Sequence, residues 1–212
     1  MDLYFAPLAC SMAARIAFYE AGVEGKFISV DTKSKRLADG SDFFAVNVMR
    51  QVPVLHTDTG ELLTENPVVL QSIADQRRHS GLAPQSGMAR YRLQQWLTFI
   101  TSELHKVVFI SLLDPSSPPE AKSYAREKVE RRFAYLNEHL NGRDSLLDRV
   151  TVADVYRVTV LNWAKFVALD LAKWPALKAY MDRMDKRPSV ARAVAEELAL
   201  YEEQQARRRS ET

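Results

Sequence analysis

The spacing of apolar residues changes character about 80 residues into the chain. Before that point, short β-prone runs at residues 3–5 and 27–30 flank a segment from Ser11 to Gly22 whose apolar residues recur at helical spacing. Strand, helix and strand in this order predict a βαβ unit with parallel strands and a right-handed crossover.

A second set of short elements follows this unit. Residues 31–47 mix charged side chains with an aromatic pair and predict a loop that contains an irregular helix and a basic rim. A strand headed by Pro53, a hairpin through residues 58–60 and a helix from about Glu65 to Arg78 come next. We therefore expect an α/β domain over residues 1–79, a small mixed sheet covered by helices, and a linker over residues 80–87.

The remaining pattern is helical throughout. One long helix is predicted from Tyr91 to about residue 113, a charged one over 121–140, and shorter ones from Trp174 and Pro188. A variant capping box, Thr151-Val152-Ala153-Asp154, begins a further helix. These elements predict an all-helical domain over residues 88–201 and a charged tail over 202–212.

Composition and charge narrow the class of protein. The chain has 212 residues, 47% hydrophobic and 26% charged, and a net charge of +2, as an ordinary globular protein has. This balance gives no reason to expect nucleic acid or a membrane surface as a partner, and Arg207-Arg208-Arg209 is interpreted as part of a solvated tail. No secretory leader is evident and the strongest apolar run is short of about 18 residues, so we expect a cytoplasmic protein.

Two side chains are candidates for chemistry. Cys10 is the only cysteine, which excludes an internal disulfide, and it precedes a predicted helix, where backbone amides and the helix dipole stabilise a thiolate. The alternative is a buried cysteine that acts as a small apolar filler. His105 lies on the long helix, where the alternative is a histidine that is solvated or paired with Glu103. With four histidines and one cysteine, no metal site is expected.

The backbone around Pro53 supplies a candidate peptide site. If the Val52–Pro53 bond is cis, the amide and carbonyl of Val52 face outward and can pair with an extended guest peptide, although a trans proline at a strand edge is the default. Downstream, Thr64-Glu65-Asn66-Pro67 begins a helix whose free amides favour an anion.

Several motifs occur together in a recognisable order. They are Ala9-Cys10-Ser11 after Pro7, Gln51-Val52-Pro53, Leu63-Thr64-Glu65, Leu82-Ala83-Pro84, Trp96-Leu97, Ser102-Glu103-Leu104-His105-Lys106 and Thr151-Val152-Ala153-Asp154-Val155-Tyr156. Together they resemble a bacterial beta-class glutathione S-transferase over roughly residues 1–200. The resemblance implies a thioredoxin-like first domain followed by a helical one.

The resemblance also implies roles for individual residues. Val52, before a cis Pro53, would pair with the cysteinyl part of glutathione, and Lys35 would meet its glycyl carboxylate. Glu65 and the amide of residue 66, here Asn66, would hold the γ-glutamyl end. Cys10 and His105 would approach the glutathione sulfur. Ser102 and Glu103 match positions that reach the partner subunit's glutathione in the family's homodimer.

The implied activity is conjugation of glutathione, as a co-substrate, to small apolar electrophiles, or thiol-disulfide exchange through Cys10. The alternative is a catalytically silent binding or regulatory protein of the same fold. Leu8 and Arg50 stand where the family commonly has glycine, and their side chains are expected to crowd the rim of the pocket.

Overall fold

The computed structural model describes residues 1–210 and divides the chain into two compact units. The first unit comprises Met1–Ser80 together with the residues from Pro188 onward, and the second unit is Gly81–Arg187. The boundary after Ser80 agrees with the change of pattern in the sequence. The return of the C-terminal residues to the first unit is not predicted by that pattern.

A five-stranded mixed sheet forms the centre of the first unit. Its strands are β1 (Asp2–Phe5), β2 (Lys26–Asp31), β3 (Arg36–Leu37), β4 (Val54–His56) and β5 (Leu62–Leu63), in the order β3-β2-β1-β4-β5. Strands β1 and β2 are parallel and all other pairs are antiparallel. The predicted βαβ unit and the β4–β5 hairpin are both confirmed.

Helices α1 (Met12–Ala21) and α2 (Asn66–Gln76) pack on each other in this unit. Helix α1 is buried over most of its length and ends at Gly22, whose φ of 63° is the left-handed conformation that favours glycine at a helix end. Val30, Phe43 and Val54 are buried together in a hydrophobic cluster of this unit. Phe43 lies in a short 3₁₀ helix, Phe43–Ala45, which is the irregular helix that the sequence predicts, whereas β3 is too short for its pattern to reveal.

The second unit consists of helices. These are α3 (Gly87–Phe99), α4 (Ser111–Leu113), α5 (Pro119–Leu140), α6 (Val152–Leu161) and α7 (Pro175–Asp185). Between α3 and α4 the chain stays helical with π-type hydrogen bonds over Ile100–Ile110. The sequence predicts one uninterrupted helix here, and apolar spacing alone does not distinguish the wider turns. Such turns are commonly found at functional sites.

The predicted capping box at the start of α6 is present. The backbone N–H of Thr151 donates to Asp154 Oδ2 at 2.9 Å, and the reciprocal bond from the N3 backbone to the threonine side chain is also formed. Every residue of α6 is buried. The helix changes to 3₁₀ geometry over Asn162–Val167, where the sequence predicts that it continues.

The last helix, α8 (Pro188–Ser210), differs most from expectation. It has 23 residues, belongs to the first unit and packs on α1. The predicted helical domain ending at residue 201 and the charged tail from 202 are therefore corrected: residues 202–210 continue α8, and 211–212 lie outside the described residues. The pattern is misleading because few residues of this helix are buried, among them Val190, Ala193 and Glu197.

The helical stretch Gly87–Leu113 is long and apolar enough to cross a membrane. The sequence does not lead us to expect this, because its strongest continuous apolar run is shorter than about 18 residues. Length and composition alone are weak evidence, because the core helix of a soluble protein passes the same test. Its buried side chains, such as Leu97, Ile100 and Val108, belong to the core of the second unit.

Candidate functional site

Cys10 lies in the turn between β1 and α1, directly before the N-cap residue of the helix. The turn is closed by Ser11, whose side-chain oxygen accepts a hydrogen bond from the Ala6 amide at 3.1 Å and donates one to the Ala6 carbonyl at 3.2 Å. The partly buried Cys10 thiol donates to the carbonyl oxygen of Val52 at 3.4 Å. The structure therefore brings together two residues that are 42 positions apart and that the sequence assigns to one site.

The loop before Cys10 is held by a residue of α8 that no sequence motif points to. The backbone N–H of Leu8 donates to Glu197 Oε2 of α8 at 2.7 Å, and Glu197 is fully buried. Leu8 has a φ of 60°, a left-handed conformation that is costly for a residue with a Cβ. The loop thus keeps the conformation that suits glycine, and the hydrogen bond to Glu197 helps to hold it there.

A buried arginine lies between two glutamates beside this loop. The Arg15 guanidinium is 3.1 Å from Glu196 and 3.4 Å from Glu197, and it stacks over the rings of Phe5 and Phe27 at 4.2 and 4.5 Å. Burial raises the pKa of Glu197 to about 8, against the opposing effect of Arg15. The pKa of Glu196 is lowered, because hydrogen bonds and the charges of Arg192 and Arg15 outweigh its desolvation. Of the two carboxyl groups beside Arg15, Glu196 is therefore the more acidic and Glu197 the more readily protonated.

The Val52–Pro53 peptide bond is cis, as the resemblance implies, and Pro53 is buried while Val52 is partly exposed. Lys35, on the loop before β3, donates from Nζ to the carbonyl of Arg50 at 3.4 Å. Lys35 and Arg50 have positive φ angles of 59° and 49°. Arg50, like Leu8, thus takes a left-handed conformation at a position where glycine is expected.

The start of α2 carries the other two first-unit candidates. Glu65 is the exposed N-cap residue with a φ of 63°, and its carbonyl accepts from the amides of Val68 and Val69. Asn66 is 5% exposed, and its buried Oδ1 atom has no hydrogen-bond partner within the described chain. A buried acceptor without a donor is uncommon in native structures, and it suits a ligand that brings an N–H group.

His105 lies in the π-helical segment of the second unit and is 5% exposed. Its Nδ1 atom is 2.7 Å from the Tyr156 hydroxyl of α6, and its ring is 5.2 Å from that of Trp163. Burial, with a smaller contribution from Lys106, lowers the pKa of His105 to about 4. The histidine is therefore neutral at pH 7. It is neither solvated nor paired with Glu103, the two alternatives that the sequence left open.

The other two second-unit candidates make contacts inside their own unit. Ser102 is exposed and donates from Oγ to the Thr98 carbonyl at 3.0 Å. Glu103 accepts from Arg132 Nε of α5 at 2.9 Å. Arg132 is a partner that apolar spacing gives no means of finding. Across residues 1–210, no three His, Cys, Asp or Glu side chains are grouped so that they could hold a metal ion.

Family models match both parts of the chain. The N-terminal domain of glutathione S-transferase matches residues 1–75, and the C-terminal domain of glutathione S-transferase matches residues 100–188. The chain is 41% identical over 199 residues to glutathione S-transferase GstA of Escherichia coli O157:H7, which covers 93% of this chain and 98% of that protein.

Solved structures agree with this assignment. A sphingomonad glutathione S-transferase complexed with glutathione aligns with a TM-score of 0.89 and 42% identity, covering 93% of this chain and 98% of that one. A bacterial beta-class glutathione S-transferase from Sphingomonas chungbukensis aligns with a TM-score of 0.88 and 39% identity, with the same coverage of both chains. The chain belongs to the glutathione S-transferase family, and its structural neighbours include bacterial beta-class members. The fold implied by the sequence motifs is confirmed.

Proposed function

We propose that this glutathione transferase binds glutathione on the first unit, with the sulfur beside Cys10. The observation that supports the proposal is the 3.4 Å contact between Cys10 Sγ and the Val52 carbonyl, because Val52 belongs to the backbone segment that we expect to pair with an extended tripeptide. The sphingomonad relative, 42% identical, is complexed with glutathione.

The remaining first-unit residues fit the two ends of the tripeptide. The unpaired Oδ1 atom of Asn66 is an acceptor for the α-ammonium group of the γ-glutamyl end, and the exposed carboxylate of Glu65 adds charge for the same group. Lys35, whose Nζ atom lies 3.4 Å from the Arg50 carbonyl, supplies positive charge for the glycyl carboxylate.

One proposed reaction is attack by the glutathione thiolate on the electrophilic carbon of a small apolar substrate, with departure of its leaving group. The second is thiol exchange. The Cys10 thiolate attacks glutathione disulfide, forms a mixed disulfide and releases one glutathione thiolate, so that electrons balance without another reactant. The thiol of Cys10 must first release its hydrogen bond to Val52.

In the second unit, we assign His105 a role as a neutral hydrogen-bonding group. With a pKa of about 4, it cannot act as a cation at neutral pH. The contact with Tyr156 fixes the orientation of its ring and leaves Nε2 available.

We further propose a cytoplasmic homodimer that acts in detoxification. The first unit exposes three neighbouring apolar side chains, Phe44 (49%), Val48 (69%) and Met49 (69%), which are suited to burial against a second copy. In that assembly Ser102 and Glu103 would reach the partner subunit's glutathione. Analytical ultracentrifugation at several protein concentrations tests for the homodimer, and a monomer at micromolar concentration would contradict it.

Rates with a panel of electrophiles and with glutathione disulfide test the function. We expect turnover in both assays, and we expect Cys10→Ala to abolish exchange while conjugation survives. Equal loss of both activities would assign both reactions to Cys10. No turnover, together with no retention on immobilised glutathione, would instead favour the silent binding protein.

A further inference from the structure

The loop that leads to Val52 contains a tight turn at residues 47–50. The backbone carbonyl of Asn47 accepts from the Arg50 amide at 2.8 Å, and the backbone N–H of Asn47 donates to the Phe43 carbonyl at 2.9 Å. Arg50 ends the turn with a φ of 49°, a left-handed conformation that residues with a Cβ disfavour. We therefore expect contacts beyond the backbone bond of the turn to hold this conformation.

The side chain of Asn47 makes such contacts on both sides of Arg50. Its Oδ1 atom accepts from the Met49 amide at 3.1 Å, and its Nδ2 atom donates to the Gln51 carbonyl at 2.9 Å. A backbone amide can only donate and a carbonyl can only accept, so these two partners require an acceptor and a donor on the same short side chain. A carboxamide provides both, whereas an ionised carboxylate provides only acceptors.

The bond to Gln51 acts on Val52 through the geometry of the peptide group. The carbonyl of Gln51 and the N–H of Val52 belong to one planar unit, and because the bond between the two residues is trans, these groups point in opposite directions. Asn47 holds the carbonyl on the side of the loop. The Val52 N–H is therefore directed away from the loop.

The Val52 backbone is the part of the first unit that we expect to pair with the cysteinyl part of glutathione. Val52 is partly exposed, and within residues 1–210 its N–H has no hydrogen-bond acceptor. Its carbonyl accepts from the Cys10 thiol at 3.4 Å. The side chain of Asn47 thus holds the peptide group that carries this N–H, next to the candidate reactive cysteine.

We propose that Asn47 is a positioning residue for glutathione, which fixes the orientation of the Val52 N–H before the tripeptide binds. This inference rests on the proposed binding of glutathione at Val52. A donor that is already held in one orientation binds its acceptor without a further ordering cost, so loss of the Asn47 bonds lowers the fraction of the protein that is ready to bind. Because Asn47 acts through the backbone, its loss should weaken affinity and leave the chemical step unchanged.

Isothermal titration calorimetry with glutathione on the full chain tests the proposal. Asn47→Ala removes both side-chain bonds, whereas Asn47→Asp keeps the size of the side chain and an acceptor for the Met49 amide but places a carboxylate against the Gln51 carbonyl. We expect each variant to raise the Kd for glutathione about fivefold or more. Since alanine adds no charge, a rise in both variants excludes charge repulsion as the cause. The matched change Asn141→Asp, at an exposed asparagine of the second unit, should leave the Kd unchanged.

Steady-state kinetics with glutathione and 1-chloro-2,4-dinitrobenzene separates positioning from a general loss of structure. We expect the KM for glutathione to rise in both Asn47 variants, while kcat and the KM for the electrophile remain those of wild type. Circular dichroism and analytical ultracentrifugation establish that fold and assembly are retained. If Asn47→Ala does not fold, the nearly isosteric Asn47→Asp provides the test.

An unchanged Kd for glutathione in a folded Asn47 variant would overturn the proposal. A fall in kcat at saturating glutathione without a change in Kd would overturn it as well. Wild type that binds glutathione while the variants bind it equally well removes only the role of Asn47. Wild type that does not bind glutathione contradicts the proposed function and this inference together.

Discussion

At the level of single residues, the environment of Cys10 depends on side chains far away in the sequence. Ser11 closes its turn, Val52 accepts from its thiol, and Glu197, 189 positions from Leu8, holds the preceding loop. Arg15 links Glu197 to Glu196. The geometry around Cys10 is thus determined jointly by its own turn, by Val52 and by α8.

Substitution of Glu197 should change how stability varies with pH. Because its pKa in the folded chain, about 8, lies above that of an unfolded glutamate, folding binds a proton, and stability falls as pH rises from about 4.5 through 8. Glu197→Gln keeps an acceptor for the Leu8 amide but cannot ionise.

We therefore expect the urea midpoint of Glu197→Gln to vary less between about pH 4.5 and 8 than the midpoint of wild type does. At pH 9 the midpoint of the variant should be higher than that of wild type. The exposed substitution Glu202→Gln provides the control. A pH dependence identical in wild type and Glu197→Gln would contradict the assignment.

His105 should titrate far below an ordinary histidine. Burial lowers its pKa to about 4, so its ring signals in an NMR titration should remain those of the neutral form down to about pH 5. The depressed value also means that its contribution to stability is present above pH 6.5 and is lost as pH falls through 4. A midpoint near 6.5 for the signals that disappear in His105→Phe would show that the ring is solvated.

At the level of elements, the capping box of α6 combines local and tertiary functions. Asp154 accepts from the Thr151 amide at 2.9 Å and from the Leu146 amide at 2.8 Å, and it also receives the Tyr180 hydroxyl at 3.2 Å. It is fully buried beside Arg157. One side chain therefore fixes the start of α6, the preceding loop and a residue of α7.

Asp154→Ala should lower the free energy of unfolding by about 3–5 kcal/mol, because it leaves Arg157 as an unpaired buried charge and two buried amides without an acceptor. Urea unfolding measures this loss. Asp182→Ala breaks only the exposed pair with Lys178 and should cost less than about 0.5 kcal/mol. Similar losses in the two variants would contradict this role.

The same elements show what the sequence can predict. The capping box and the βαβ unit are predictable because their signals are local, either a four-residue motif or a hydrophobic period. The packing of α8 is not, because few of its residues are buried and its anchors are polar: Glu197, Gln204 and Arg208. Polar contacts between distant segments leave no periodic pattern, and for the same reason the sequence does not reveal Tyr156 as the partner of His105.

At the level of the whole molecule, the chain is a glutathione transferase with two compact units. Family membership and motif positions could be recognised from the sequence, since Cys10, the cis Pro53 and His105 belong to motifs of fixed order. The conformations of Leu8 and Arg50 could not, because both keep left-handed backbone angles with side chains that do not favour them.

The central claim is that glutathione binds with its sulfur beside Cys10. Intact-mass and peptide analysis after exposure of the native protein to glutathione disulfide tests it most directly, with the urea-unfolded chain as reference. We predict one glutathionyl group per native chain, at Cys10, formed faster than in the unfolded chain and absent from Cys10→Ser. A native Cys10 that stays unmodified while the unfolded chain reacts would contradict the account.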